Sequence, residues 1–476
     1  MPLKIYNTLT KQKAEFLPQN PPVVKMYTCG VTVYDQCHLG HARSLYIFDV
    51  IRRYLKYRGY DVQFVRNITD VDDKIINKAQ EQKKTSQQVA SENIASYDRD
   101  LEALGIARAD QEPKATDDIP DMIQHIQGLA QKGFAYPIDG DVYFDVRKFK
   151  DYGRLSGQSI DQMLEAVRIE KDSKKKDPLD FALWKKSKPG EPSWASPWGE
   201  GRPGWHIECS SMSMKHLKTQ TLDIHAGGRD LVFPHHENEI AQSEALTGKP
   251  FSRYWIHHGL LTINGQKMAK SLGNFITVQE AISQYGVDNL KLFFLSSHYA
   301  SPIDFTEEKI LEAQKARRHF VEFMDKVHGW SAYPGQPMVP VSDDDFGKVD
   351  AAVAAFTAAM DDDFNTPQAL AAMFHLVDWG SVLISAGKEE AFRYALLRLS
   401  ELFGLLGLEV KTAQELPEEL RELVRQREAA KKNKDFTRAD ALRQEMRSRF
   451  HLAAVDTVSG ITFIELEWKK RMRHAN

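Results

Sequence analysis

Residues 22–65, PVVKMYTCGVTVYDQCHLGHARSLYIFDVIRRYLKYRGYDVQFV, decide the fold. An apolar run over Pro22–Thr28 ends at Cys29-Gly30, and Val31–Tyr34 leads into His38-Leu39-Gly40-His41. Apolar residues then recur with helical spacing over Ala42–Tyr57. Gly59 stands where that helix should end, and Val62–Val65 reads as the next strand. Strand, turn, helix, strand is the βαβ opening of a parallel sheet, and its helix N-terminus is a natural site for an anion.

Working outward, Thr85–Leu104 is a polar amphipathic helix, and Pro113, Asp117 and Pro120 punctuate a boundary. The texture then changes. A helix (Met122–Lys132), strand-like Gly140–Val146, the basic run Lys171–Lys176 and a Pro/Trp/Gly-rich stretch to Gly204 read as an insertion. The αβ pattern resumes with Trp205–Leu217, a strand at Thr221–His225, a Gly227-Gly228 turn, a helix over Pro234–Leu246 with Pro234 at its first position, and a buried strand at Trp255–Leu261. From Val278 to the end helix signals dominate. Asp343–Asp345 and Asp361–Asp363 mark helix starts or loops, and Glu418–Arg449 reads as one long charged helical stretch. The expected class is therefore an α/β Rossmann-like catalytic domain split by an insertion and followed by an α-helical half.

The chain has 476 residues, a formal charge of −3 and three cysteines, Cys29, Cys37 and Cys209. That length implies several domains. The charge gives no global basic signature, so a nucleic-acid partner would need local basic surface. An odd, sparse cysteine count excludes a disulfide framework and points to a reducing compartment. The N-terminus lacks the pattern of a signal peptide, and no apolar stretch approaches the roughly 20 residues of a membrane span. The expected location is cytoplasmic.

Two separated motifs carry phosphate chemistry. His38 and His41, at i and i+3 on a first helical turn, share a face where a triphosphate would meet the helix N-terminus, and Gly40 lets a ligand approach the backbone. Lys267-Met268-Ala269-Lys270-Ser271 follows a strand (Gly259–Ile263) and an Asn264-Gly265 turn. Its two flexible point charges suit charge that develops on a departing pyrophosphate. Either motif alone reads as incidental histidines or a solvated basic loop; together they indicate an ATP-using enzyme. A metal site can be read separately. Cys29 and Cys209 are candidate ligands with the cluster His235-His236-Glu237-Asn238-Glu239, in which His235 with Glu239 (i, i+4) and His236 with Glu239 (i, i+3) are both feasible by spacing. Cys37 reads as packing.

The two phosphate motifs resemble the HIGH and KMSKS signatures of class I aminoacyl-tRNA synthetases. The residues around Tyr34–Arg43, together with Arg66–Lys74, Gly204–Cys209, Phe233–Glu239 and Asp361–Thr366, resemble the cysteinyl-tRNA synthetase family in particular. Leu39 replaces the usual Ile, and Ala269 replaces the middle Ser, which removes a hydroxyl from the lysine loop but keeps both lysines. The resemblance implies a two-step reaction: the cysteine carboxylate attacks the ATP α-phosphate, releasing pyrophosphate, and the 3′-terminal ribose hydroxyl of tRNA(Cys) then takes the cysteinyl group. It implies His38, His41, Lys267 and Lys270 as catalytic groups and Gly40, Gly228, Asp230 and Lys270 at ATP. It places Thr69 and Trp205 at the amino acid and selects Cys29, Cys209, His235 and Glu239 as ligands of one Zn2+ that reads the substrate thiol. His206 and His225 would balance charge around that metal, and His257-His258-Gly259 would approach adenine. ATP is expected with Mg2+. The partners are tRNA(Cys), ATP and L-cysteine, with no membrane, and the chain is expected to act as a monomer.

The domain boundaries that follow are residues 1–119 (first catalytic half), 120–203 (insertion), 204–256 (second catalytic half), 257–310 (lysine loop and stem-contact region), 311–412 (helical anticodon-binding domain) and 413–476 (small C-terminal tRNA-binding segment). Basic clusters from Arg421 to Arg449 and at Lys469–Arg471, with Trp468 as a stacking residue, are the candidate RNA contacts. Three rivals remain at this stage. A ligase acting on a small amine would not need the long helical half. A non-catalytic tRNA-binding paralogue would not need both motifs and all four ligand candidates. A zinc hydrolase would leave the lysine loop unexplained.

Overall fold

The computed structural model describes residues 2–465 apart from 161, 164–173, 332–338, 410–417, 434, 451 and 458–459. Trp468, Lys469–Arg471 and Lys171–Ser173 therefore lie outside the described residues. Two compact units form: residues 1–261 with Tyr299–Ile303 and Asp361–Asp363, and residues 262–298, 304–360 and 364–476.

The first unit is built on four parallel strands in the order Ser252–His258, Leu222–Gly228, Val23–Thr28, Asp61–Arg66. Chain order reverses between Val23–Thr28 and Leu222–Gly228, so the ends of these two central strands flank the topological switch point, where such sheets bind ligands. Leu222–Gly228 and Ser252–His258 are buried on both faces, whereas Val23–Thr28 and Asp61–Arg66 alternate at their starts and are fully buried only toward their C-terminal ends. The helix Leu39–Tyr57 crosses from the first strand to the second and buries Leu39, Ala42, Leu45, Tyr46, Phe48 and Ile51. It stops at Arg58, after which Gly59 takes φ +85°, a left-handed conformation that glycine adopts without penalty.

The sequence segment read as an insertion contributes an antiparallel sheet ordered Ala135–Ile138, Asp141–Phe144, Phe181–Lys186, Gly201–Pro203. It shares one apolar core with flanking helices: Met122, Ile126 and Leu129 pack with Val142, Phe144, Leu183 and Trp184, and with Ile207, Met212 and Ala241. Two residues of the acidic triplet, Asp361 and Asp363, are buried anchors, while Asp362 is exposed. The Tyr54 hydroxyl donates to Asp361 Oδ1 at 2.7 Å and Arg58 pairs with the same carboxylate. Asp363 Oδ1 accepts from the Tyr6 amide at 2.9 Å and the Tyr299 hydroxyl at 2.8 Å.

Several boundaries differ from the sequence reading. The strand read as Thr221–His225 runs over Leu222–Gly228, so Gly227 and Gly228 pair in the ladder and do not form a turn. The regular helix begins at Glu237, not Pro234, because the Phe233 backbone is extended, leaving Val232–His236 as an irregular turn. The buried strand is Ser252–His258, and Leu261–Ile263 belongs to a separate short sheet.

The second unit carries helices Val278–Tyr285, Val287–Leu295, Glu307–Ser331, Thr366–Ser385 and Glu389–Leu406, with Phe320 stacked on Phe374 at 4.7 Å and edge-on to Phe403 at 5.0 Å. The charged stretch expected as one helix is two, Glu418–Lys432 and Phe436–Phe450, and the strands Leu452–Thr457 and Gly460–Glu465 pair antiparallel beyond it. Helix dominance to the end of the chain is thus corrected. Among the described residues no helix is long and apolar enough to cross a membrane.

Candidate active site and metal centre

His38 is the N-cap of the helix Leu39–Tyr57 and His41 is its third residue. His38 Nδ1 accepts from the Gly40 and His41 amides at 3.1 and 3.3 Å, and His41 Nδ1 accepts from the His38 amide at 3.3 Å. This is a reciprocal capping box built from imidazoles. The rings stack at 3.7 Å. Because both Nδ1 atoms accept, the proton of each neutral ring sits on Nε2. Burial drives His38 down to about 4 and His41 down to about 3, the latter helped by the neighbouring His38 and Lys74. At neutral pH the pair is two uncharged Nε2–H donors at a helix N-terminus, a set suited to phosphate oxygens.

Gly228 ends the second central strand and pairs with His258 in the parallel ladder. A β-carbon on Gly228 would collide with the Asp230 carboxylate. Asp230 also bears electrostatically on His38, and His258 on His41.

Cys29 follows the strand Val23–Thr28, while His235 and Glu239 follow Leu222–Gly228. Cys29 Sγ lies 3.8 Å from Cys209 Sγ and 3.6 Å from Glu239 Oε1, and His235 Nε2 lies 3.0 Å from Glu239 Oε1. Two donor sets have all atoms within 4.8 Å of one another: Cys29, Cys209, His235 and Glu239, and Cys29, His225, His236 and Glu239. Their hydrogen bonding differs. His225 Nε2 is engaged by Glu239 Oε2 at 2.7 Å. His236 is engaged on both sides, by His257 at 2.8 Å and by Cys29 Sγ at 3.1 Å. His235 Nδ1 meets His206 Nδ1 at 2.9 Å, whereas its buried Nε2 faces the Glu239 carboxylate at 3.0 Å without a hydrogen bond of good geometry among the described residues.

Opposed charges meet here out of water. Burial raises the Cys29 thiol. Burial also acts to raise Cys209, but the neighbouring Cys29 and His235 bring it down to about 6. Burial would lower His235, yet Glu239 and Cys209 hold it up at about 10. Glu239, despite burial, is held well below the carboxylate range by His225 and His235. Two sulfurs, an imidazole and a carboxylate are a donor set for a borderline-soft divalent ion, and an orphaned buried imidazole nitrogen is what such an ion would satisfy.

Around this cluster Trp205 stacks on His235 at 4.1 Å with 36% of its surface exposed. Thr69 is buried, donates to Glu208 Oε2 at 2.7 Å and accepts from Asn67 Nδ2 at 3.2 Å. Asn67 Oδ1 in turn accepts from the Gly30 amide at 2.8 Å. A β-carbon on Gly30 would overlap the Asn67 carbonyl, so the Cys29-Gly30 turn requires glycine. Sequence reading missed Asn67 and Glu208, since a polar residue at a strand end or a helix start carries no distinguishing pattern. Cys37 is buried and its thiol is pushed up to about 12 by burial, in keeping with a packing role.

Lys267 and Lys270 belong to the second unit and are exposed. Their loop is held by Asn274, whose Oδ1 accepts from the Ala269 amide at 2.8 Å and whose Nδ2 donates to the Lys267 carbonyl at 3.2 Å. Lys270 Nζ lies 4.9 Å from the Phe275 ring centre.

Residues 15–315 match the family model described as tRNA synthetases class I (C) catalytic domain, and residues 355–411 match the DALR domain. The chain is 49% identical to a cysteine--tRNA ligase of Persephonella marina over 99% of its own length and all of that protein. It is 50% identical to one of a Sulfurihydrogenibium species, covering 94% of this chain and 96% of the relative. Its fold is similar to that of Mycobacterium tuberculosis methionyl-tRNA synthetase in complex with methionyl-adenylate, with a TM-score of 0.61 at 16% identity over 81% of this chain and 90% of the other.

Proposed function

The chain belongs to the cysteine--tRNA ligase family of class I synthetases, and on that premise we propose how its residues divide the work of activating L-cysteine with ATP and passing it to the 3′ end of tRNA(Cys). The observation that carries the reading is the gathering of Cys29, Cys209, His235 and Glu239 donor atoms within 4.8 Å at the switch point of a parallel sheet.

These four residues would hold Zn2+ in preference to the set containing His225 and His236, because His235 Nε2 faces the cluster without a hydrogen bond, whereas His225 Nε2 and both nitrogens of His236 are already hydrogen-bonded. His206 supports this by meeting His235 Nδ1, which leaves the Nε2 lone pair for the metal. His225 orients the Glu239 carboxylate. When bound, zinc supplies a soft Lewis-acid position that takes the thiolate of cysteine and has no equal use for the hydroxyl of serine. A site that bonds a specific group discriminates near-isosteres by about 10⁴–10⁵, against about 10² for shape alone. Trp205, stacked on His235, would wall the amino-acid pocket, and Thr69 would contact the amino acid.

His38 and His41 would donate Nε2–H to the triphosphate from the helix N-terminus. Gly40, Gly228 and Asp230 would contact the nucleotide, which is taken with Mg2+. Lys267 and Lys270 would follow the negative charge that grows on the departing pyrophosphate. Residues 311–412 would read the anticodon region of the tRNA and 413–476 would add a small RNA-binding segment, a division that the DALR match supports.

Metal analysis of the protein purified without added metal tests the reading. Zinc at about one equivalent per chain is expected, with Cys209→Ser losing both the metal and the rejection of serine. Absence of zinc, or undiminished serine rejection by a zinc-free variant, would sink the assignment.

A further inference from the structure

Arg43 lies two residues beyond His41, is 0% exposed, and has no ion-pair partner among the described residues. Its guanidinium instead faces four main-chain carbonyls. Nη1 donates to Gly259 at 2.6 Å and Leu260 at 3.0 Å, and Nη2 donates to Tyr299 at 3.2 Å and Ser301 at 2.7 Å. Burial lowers its pKa only to about 10, so it remains a cation at neutral pH. A buried cation without a counter-charge needs its N–H groups met by acceptors; the two terminal nitrogens of the planar guanidinium meet four carbonyls, with only Nε–H left unbonded, where a lysine ammonium, with three donors at one point, could not reach all four.

The position of those carbonyls gives the arrangement its meaning. Gly259 and Leu260 lie within three residues before the segment 262–298, which carries Lys267 and Lys270, and Tyr299 and Ser301 lie within three residues after it. All four carbonyls and Arg43 itself belong to the first unit. Gly259 also follows His258, which pairs with Gly228, and it has no room for a β-carbon because the Ser301 carbonyl occupies that space. One side chain on the helix capped by the two imidazoles therefore holds the chain on both sides of the lysine-bearing segment.

We propose that Arg43 is a positioning residue for the ATP-consuming step: it fixes the two chain ends from which the lysine-bearing segment extends, and it acts through them rather than on substrate. The inference rests on the reading of Lys267 and Lys270 as the groups that follow pyrophosphate. Misplacement by about 1 Å in a preorganised site costs on the order of 10²-fold in rate. Nothing in the arrangement touches the metal cluster, so binding of the amino acid should be spared.

The test is cysteine-dependent ATP–pyrophosphate exchange by the full-length zinc-loaded enzyme as Arg43→Lys and Arg43→Gln, beside Lys270→Ala. Both Arg43 variants keep most of the side-chain volume. Expected is a fall in kcat of about 10²-fold for Arg43→Gln and a smaller one for Arg43→Lys, with the cysteine KM and zinc content within about two-fold of the parent. An unchanged kcat overturns the proposal. So does a parallel loss of kcat, cysteine affinity and zinc, which is the signature of general damage. If either variant fails to fold, the other decides by the same split. Lys270→Ala separates the two readings: if it leaves exchange intact, the role of the lysine loop falls, whereas loss in Lys270→Ala with no loss in Arg43→Gln removes only the role of Arg43.

Discussion

His38 and His41 cap one helix for each other, each offering Nδ1 to the other's backbone amide while their rings stack at 3.7 Å. The same bonds that begin the helix also set the tautomer, so capping and phosphate recognition use opposite nitrogens of each ring. Asparagine is an equally good N-cap but lacks an N–H at the Nε2 position. His38→Asn should therefore stay within about 0.5 kcal/mol of the parent at pH 7, where replacement by alanine costs about 1 kcal/mol. Its pyrophosphate exchange should fall about 10²-fold. Urea unfolding beside exchange kinetics separates the two effects, and equal losses in both would contradict the division of roles.

The pH dependence follows from the same geometry. The folded pKa values, about 4 and about 3, lie below the ordinary 6.5. The fold therefore binds fewer protons here than the unfolded chain, and stability falls as pH drops. The contribution of His38 is complete above about pH 6.5 and is lost as pH falls toward 4. The stability difference between parent and His38→Asn should narrow or reverse over that window. A difference that stays constant from pH 7 to pH 4 would show that His38 Nδ1 is not held unprotonated.

In the lysine loop the structural load rests on Asn274, which bonds the Ala269 amide and the Lys267 carbonyl through its two side-chain atoms. The missing hydroxyl at position 269 is thus of little consequence. Ala269→Ser should change exchange by less than about two-fold, whereas Asn274→Ala should cost about ten-fold or more, and Lys270→Ala about 3–4 kcal/mol at the transition state. Initial-rate measurements on the three variants decide the order. A large gain from Ala269→Ser would place the loop's hydrogen bonding back on residue 269.

Cys37 stands one residue before the capping histidine, yet burial raises its thiol to about 12. It should resist alkylation by iodoacetamide at pH 8 in the native protein, and Cys37→Ala should retain zinc and activity. Mass spectrometry after timed alkylation reads this out, and rapid native labelling at Cys37 would contradict the packing assignment.

Much of this was legible in the chain. The βαβ opening is written in the apolar run, the motif and the glycine over residues 22–65, because a parallel strand is apolar on both faces and its helix is periodic. The pairing of Cys29 with Cys209 was not legible from spacing, since nothing local brings together residues 180 positions apart. Nor could spacing choose between His235 and His236. The choice proposed here rests on which imidazole nitrogen facing the cluster carries no hydrogen bond, a property of the folded environment of His206, His225 and His257. Asn67, Glu208 and the role of Arg43 escaped for the same reason, as their partners are distant main-chain and side-chain atoms. The C-terminal strands were hidden by the surrounding helical composition.

The central claim is that a metal held by Cys29, Cys209, His235 and Glu239 reads the substrate thiol. Cobalt(II) substituted for zinc tests it most directly, by thiolate-to-cobalt charge-transfer absorption recorded as amino acid is added. L-Cysteine should strengthen this absorption by adding a thiolate to the metal, while L-serine should leave it unchanged. The same spectrum with both amino acids, at concentrations where cysteine supports exchange, would contradict it.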